Sequence, residues 1–192
     1  MDALEALTTR ASPLQLTDPA PDRDALNAML RAATRAPDHG RLHPWRFIVI
    51  GGAARSRLGD VLAAALRARE PAAPDAAVEK ERSKPLRAPL MIVVAARLIE
   101  TRKIPAVEQI ISAGAAAQNI LVAAHALGFG GFWRTGAPAY DDRVKAALGL
   151  DAADSIVGFL YLGTPSVAAP PPSPINLADV VTEWTGEKGS TS

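Results

Sequence analysis

Apolar residues recur at helical spacing between Asp22 and Thr34, where Leu26, Met29, Leu30 and Ala33 fall at i, i+3, i+4 and i+7. Pro21 and Asp22 give that helix a start signal, and Ala36-Pro37 ends it. The stretch "PWRFIVI" then collects aromatic and β-branched residues before Gly51-Gly52, the pattern of a strand. A second amphipathic helix follows, with Leu58, Val61, Leu62, Ala65 and Leu66 on one face. "LMIVVAA" reads as a buried strand, and Val107 to Leu127 as a helix apolar almost all round, buried on every side or packed closely on another helix. After it, "GFGGFWRTG" turns into a short strand, "DDRVKAALGL" is helical, and "SIVGFLYLGTP" is a strand enclosed on both faces.

Two stretches break this alternation. Between Arg67 and Pro89 the chain is charged and punctuated by proline, so a surface excursion or lid is expected there. Beyond Thr164 the tail is Pro-rich, yet Leu177, Val180, Val181 and Trp184 give its end something to bury. The expected organisation is one domain over residues 1–168 and an arm over 169–192 that lies on the body or on a partner subunit. No internal repeat is visible. Two helices precede the first predicted strand, so the order is not that of tidy βαβ units and points to α+β, or to α/β with a mixed sheet, between helical layers. Gly51-Gly52 does not supply the G-x-G-x-x-G turn of a dinucleotide-binding crossover.

With 192 residues and 48% hydrophobic content the chain can bury a full core. A formal charge of +1, from 21 basic and 20 acidic residues, offers no global field for nucleic acid, so any anion site is local. The absence of cysteine removes disulfides, thiolate nucleophiles and cysteine metal sites, and fits a reducing compartment. The acidic start "MDALEALTTR" has no basic and apolar leader pattern, and the most apolar segment is interrupted by polar residues. A soluble, cytoplasmic protein is expected.

Three clusters are more polar than folding requires. Arg10-Ala11-Ser12 places a guanidinium and a hydroxyl just past the first helix, a donor pair for a phosphate oxyanion or simply a solvated helix end. Arg35 and His39 flank the Pro37 turn, in a stretch that holds two of the chain's three histidines. An imidazole there can donate to phosphate or rest in solvent. Trp133-Arg134-Thr135 follows Gly128, Gly130 and Gly131, glycines that let backbone amides approach a ligand or that serve only a tight turn. His39 and His43 are spaced i, i+4, but Gly40 and Pro44 oppose a regular helix, so no metal site is expected.

In order and spacing these blocks resemble the nitroreductase family of flavin oxidoreductases. The matching segments are "MDALEAL" with its Arg/Ser turn, "RAATRAPDHGRLHPWRFIVI", "RAPLMIVVAA", "EQIISAGAAAQNILVAAHALGFGGFWRTGA" and "IVGFLYLGTP". The resemblance implies an α+β, nitroreductase-like fold: a mixed, mainly antiparallel sheet flanked by helices, with a long buried central helix. It implies FMN at the interface of a homodimer. Arg10, Ala11, Ser12, Trp133, Arg134 and Thr135 would hold the phosphate and ribityl chain, and Arg35 and His39 would reach in from the other subunit. Ala123, Ala124, His125, Ala126, Leu127 and Gly128 match the segment where NAD(P) is thought to dock. The family commonly reads Arg-Arg-Ser where Ala11 offers only a backbone amide. The implied activity is NAD(P)H-dependent reduction of a nitroaromatic or quinone acceptor through flavin N5, with ping-pong kinetics and no catalytic side chain. The alternative is a low-turnover FMN reservoir or sensor.

Overall fold

Seven consecutive buried residues, Leu90–Ala96, form the central strand β3 of the computed structural model, which describes residues 1–13, 15–101 and 103–186. In chain order the elements are α1 (Ala3–Thr9), β1 (Leu16–Thr17), α2 (Arg23–Ala33), β2 (Trp45–Gly51), α3 (Ala54–Arg69), α4 (Asp75–Ser83), β3, α5 (Ala106–Ala126), β4 (Gly130–Arg134), α6 (Asp142–Ala147) and β5 (Ser155–Pro165). The sheet runs β1-β5-β3-β2, and β4 pairs with β5 beside β1. All pairings among the described residues are antiparallel, which agrees with the mainly antiparallel sheet that the family resemblance implies and shows no parallel pair of the expected mixed sheet among those residues.

Side-chain alternation divides β3 between two cores. Met91, Val93 and Ala95 face α3 and α6, where they meet Leu58, Leu62, Ala65 and Val144. Ile92, Val94 and Ala96 face α2 and α5, against Met29, Ala33, Ala113, Ala117 and Ile120. On β5, Phe159 and Tyr161 join the first core, and Leu160 and Leu162 the second. Ile156 shares a face with Phe159 despite the odd spacing because the register shifts opposite Val94/Ala95, an extra residue absorbed as a bulge.

The helix boundaries follow the sequence signals. Asp22 caps α2 by accepting from Ala25 N at 2.8 Å, and Asp2 and Glu5 form a capping box on α1. Two expectations change. A two-residue strand, β1, precedes α2, too short to carry a periodic signal. The charged segment 67–89 is no loose excursion: it forms α4, which lies on α3 and buries Val78. Gly59 makes that approach close, since a Cβ there would run into the Arg82 carbonyl oxygen. The Ala- and Gly-rich α5 buries its inner face on α2 and the sheet, while Val107 and Ile111 remain exposed on its outer edge. Residues 170–186 are exposed throughout, Trp184 at 88% among them; the end of the predicted arm, 187–192, lies outside the described residues. Among the described residues no helix is long and apolar enough to cross a membrane.

Candidate cofactor cleft

The cleft forms where β4 runs along the edge of β5 beside Ser12, Pro13 and Gln15 to Thr17. Phe132 on β4 turns into the α3 core and stacks on Tyr161, with centroids 4.7 Å apart and 16° between planes. Two residues on, Arg134 emerges on the same side and its guanidinium lies 5.5 Å from the Phe132 ring centroid. Trp133 turns the other way, packs into the α5 core and donates Nε1 to Val157 O at 3.2 Å. Its indole crosses Gly158, where any Cβ would collide with it. Gly130 and Gly131 are likewise closed in by Pro13, Leu16, Leu121 and Leu162, so these glycines serve close packing of β4 against its neighbours.

An open cleft of about 680 Å³ results, lined by Ser12, Pro13, Gln15, Leu16, Thr17, Arg87, Phe132, Trp133 and Arg134. Its polar lining consists of two guanidiniums, two hydroxyls and one amide, and no carboxylate. Arg87 and Arg134 continue into an inner cavity of about 320 Å³ with Leu62, Lys84, Thr135, Pro138, Phe159 and Tyr161. Burial pushes the Tyr161 phenol above its ordinary value of 10.0, with nearby Arg87 opposing the shift and Glu81 adding to it. Lys84 is paired with Glu81, whose second carboxylate oxygen is buried without a partner.

The residues singled out in the sequence are distributed over this surface unequally. Ser12, Trp133 and Arg134 share the main cleft, and Thr135 lines the inner cavity. Arg10 and Ala11 line a separate cavity of about 370 Å³, behind Pro13, with His125 and Gly128. There His125 Nε2 lies 2.9 Å from Thr9 Oγ1. Because Thr9 Oγ1 donates to Glu5 O at 2.6 Å, the imidazole Nε2–H is the donor to the Thr9 oxygen. Arg35 lines a shallow groove between α1, α2 and α5 together with Ala123 and Ala126. Ala124 is fully buried in the α5 core, whereas Leu127 is exposed just past the helix. His39 lies away from the cleft, with Nδ1 2.6 Å from Glu108 Oε2. A single chain therefore does not bring Arg35 or His39 to the cleft.

Sequence reasoning missed Arg87, Lys84 and Tyr161. Arg87 and Lys84 sit in the charged stretch taken for a lid, and Tyr161 in a strand taken wholly as core. Their signal is tertiary: only the pairing of β3 with β5, and the packing of α4 on α3, bring them to the end of β4.

An acid-free cleft with cations, hydroxyls and an aromatic wall is chemically suited to an anionic, planar organic group. A match to the Nitroreductase family model over residues 7–164 narrows this class, and the chain belongs to the nitroreductase family, a family of oxidoreductases. It is 46% identical over 180 residues to the Escherichia coli (strain K12) protein named "Putative NAD(P)H nitroreductase YdjA", covering 91% of this chain and 97% of that one. A Haemophilus influenzae protein named "Putative NAD(P)H nitroreductase" is 38% identical over 165 residues, 85% of this chain and 89% of its own. Among solved structures, a nitroreductase-like family protein from Bacillus cereus superposes with a TM-score of 0.81 at 25% identity, covering 97% of both chains. A Desulfovibrio desulfuricans protein, described as a "putative nitroreductase in complex with FMN", gives 0.72 at 27% identity over 96% of this chain and 98% of that one.

Proposed function

We propose that this chain is an FMN-dependent NAD(P)H oxidoreductase that reduces an electrophilic acceptor of the nitroaromatic or quinone type. The observation that carries the reading is the acid-free cleft in which Ser12, Arg87 and Arg134 converge. That donor set fits the cofactor: guanidiniums and a hydroxyl are partners for a phosphate, and the apolar wall made by Phe132 and Leu16 suits a planar ring. FMN, when bound, supplies the hydride chemistry.

The chain's own work in this reading is to bind, orient and admit. Ser12, Arg134 and the backbone of Trp133–Thr135 hold the phosphate and ribityl chain. Arg10 and Ala11, one turn away, reach the same ligand through the turn they share with Ser12. Arg35 and His39 come from a second copy, because in one copy they lie on other faces. The exposed apolar residues Leu4 and Leu7 of α1 and Val107 and Ile111 of α5 give that second copy a surface to cover. The apolar end of the arm, Leu177 to Trp184, adds to it. The segment Ala123–Gly128 guides NAD(P)H through its exposed end at Leu127 and Gly128. One open cleft serves both substrates in turn, which gives ping-pong kinetics, and the absence of cysteine suits a cytoplasmic setting.

The visible absorption spectrum of the purified protein, taken before and after adding FMN and desalting, tests this directly. A retained flavin band supports the reading; a colourless protein that releases all added FMN refutes it. Ala11, which contributes no cation, favours a second reading, a low-turnover FMN reservoir or sensor. Steady NAD(P)H oxidation on adding menadione separates the enzyme from the reservoir.

A further inference from the structure

Tyr161 is the buried polar ring of the inner cavity. It sits on β5 with 3% of its surface exposed, its ring fixed by the stack on Phe132. A tyrosine hydroxyl ordinarily finds an acceptor; among the described residues no hydrogen bond joins Tyr161 Oη to another group, and the oxygen is not among the buried unpaired atoms, so it opens on the cavity. The side chains of Lys84, Arg87 and Arg134 around the same cavity only donate, and the acceptors near it, the Thr135 hydroxyl and the Glu81 carboxylate that holds Lys84, make no hydrogen bond to Tyr161. The cavity presents guanidinium and phenol donors together, with the Lys84 ammonium held by Glu81, between apolar walls of Leu62, Pro138 and Phe159. It calls for a flat guest whose edge is rich in acceptors. Arg87 and Arg134 line both this cavity and the outer cleft, so a ligand anchored outside extends inward past them. Burial also keeps the phenol protonated through the neutral range, leaving it a donor.

We infer that Tyr161 donates its hydroxyl hydrogen bond to the acceptor-bearing edge of the flavin ring system, which makes it a cofactor-binding residue of the cleft. The inference rests on the FMN reading above. Phe132 holds the phenol ring in place, so removing the hydroxyl alone leaves the stack intact and isolates the bond.

The chain has two tyrosines, and Tyr140 is exposed at 78%. Protein labelled with 3-fluorotyrosine therefore gives two fluorine resonances, assigned by the Tyr140→Phe variant. Adding FMN is expected to shift the Tyr161 resonance. Tyr161→Phe is expected to weaken FMN binding about 2- to 12-fold, the worth of one neutral hydrogen bond, and to move the flavin visible band. If FMN is retained but the Tyr161 resonance stays still, or if Tyr161→Phe keeps the parent dissociation constant and band position, the inference is overturned and the FMN reading stands. If the parent protein retains no FMN, the FMN reading fails and takes this inference with it. Should Tyr161→Phe not fold, the labelled parent protein decides alone.

Discussion

Trp45 on β2 donates its indole N–H to Ser112 Oγ on α5 at 2.9 Å, and Ser112 passes its own hydrogen bond to the carbonyl of Pro37 at 2.6 Å. One buried hydroxyl thereby ties a strand, the central helix and the turn that carries His39. The same turn holds Arg41 and His43 in left-handed backbone conformations, φ 53° and 48°, and Asp38 compensates by accepting from the amides of Leu42 and His43 at 3.2 and 2.8 Å. Ser112→Ala strands the indole and a carbonyl, so a loss of about 1–3 kcal/mol is expected in urea unfolding. An unchanged midpoint would show that the relay contributes nothing to stability.

Gly59→Ala forces α3 and α4 apart, because the new methyl meets backbone, which cannot swing away as a flexible side chain would. Thermal unfolding should register a destabilisation of about 1–3 kcal/mol. A neutral result would mean that α4 packs less closely than the structure has it.

Arg134→Ala and Ser12→Ala remove donors from the main cleft, whereas Arg10 lines the neighbouring cavity and Arg35, in the two-copy site proposed above, comes from the second copy. Loss of a charge-assisted bond costs roughly 1.5–3 kcal/mol, so Arg134→Ala should weaken FMN binding about 10- to 150-fold in a fluorescence titration. Arg10→Ala and Arg35→Ala should lower affinity as well. Parent-like dissociation constants for all of them would sink the assignment.

The two-copy site proposed above predicts a dimeric mass by light scattering. Ile111→Asp places a charge on the exposed edge of α5, and it should yield monomer and release FMN together. Monomer in the parent protein at working concentration would remove the shared site.

Tyr161 gives a pH signature. Its folded-state value lies above the ordinary 10.0 because burial disfavours the phenolate. The folded state therefore holds this proton more tightly than the unfolded chain, and the stability it contributes is complete below pH 10 and lost as pH rises through the folded value. Unfolding free energies measured upward from pH 9 should fall more steeply for the parent protein than for Tyr161→Phe; parallel curves would contradict the buried titration.

What the sequence determined by itself was periodic or punctuated. The continuous apolar run at Leu90–Ala96, the i, i+3, i+4 pattern of α2 with its Asp22 start signal, and the glycines before Trp133 are local signals, because backbone geometry repeats over a few residues and side-chain direction follows it. Ser12, Trp133 and Arg134 could be singled out from block order and meet in one cleft, while their part in holding FMN stands as a proposal. Only the tertiary structure decided the rest. Lys84 and Arg87 looked like solvated charge, and Tyr161 like core, until antiparallel pairing placed β5 between β3 and β4 and set all three around one cavity. Residues that come together from positions far apart in the chain leave no spacing to read, since the pairing that joins them is fixed by two packed faces of a sheet and not by any local preference.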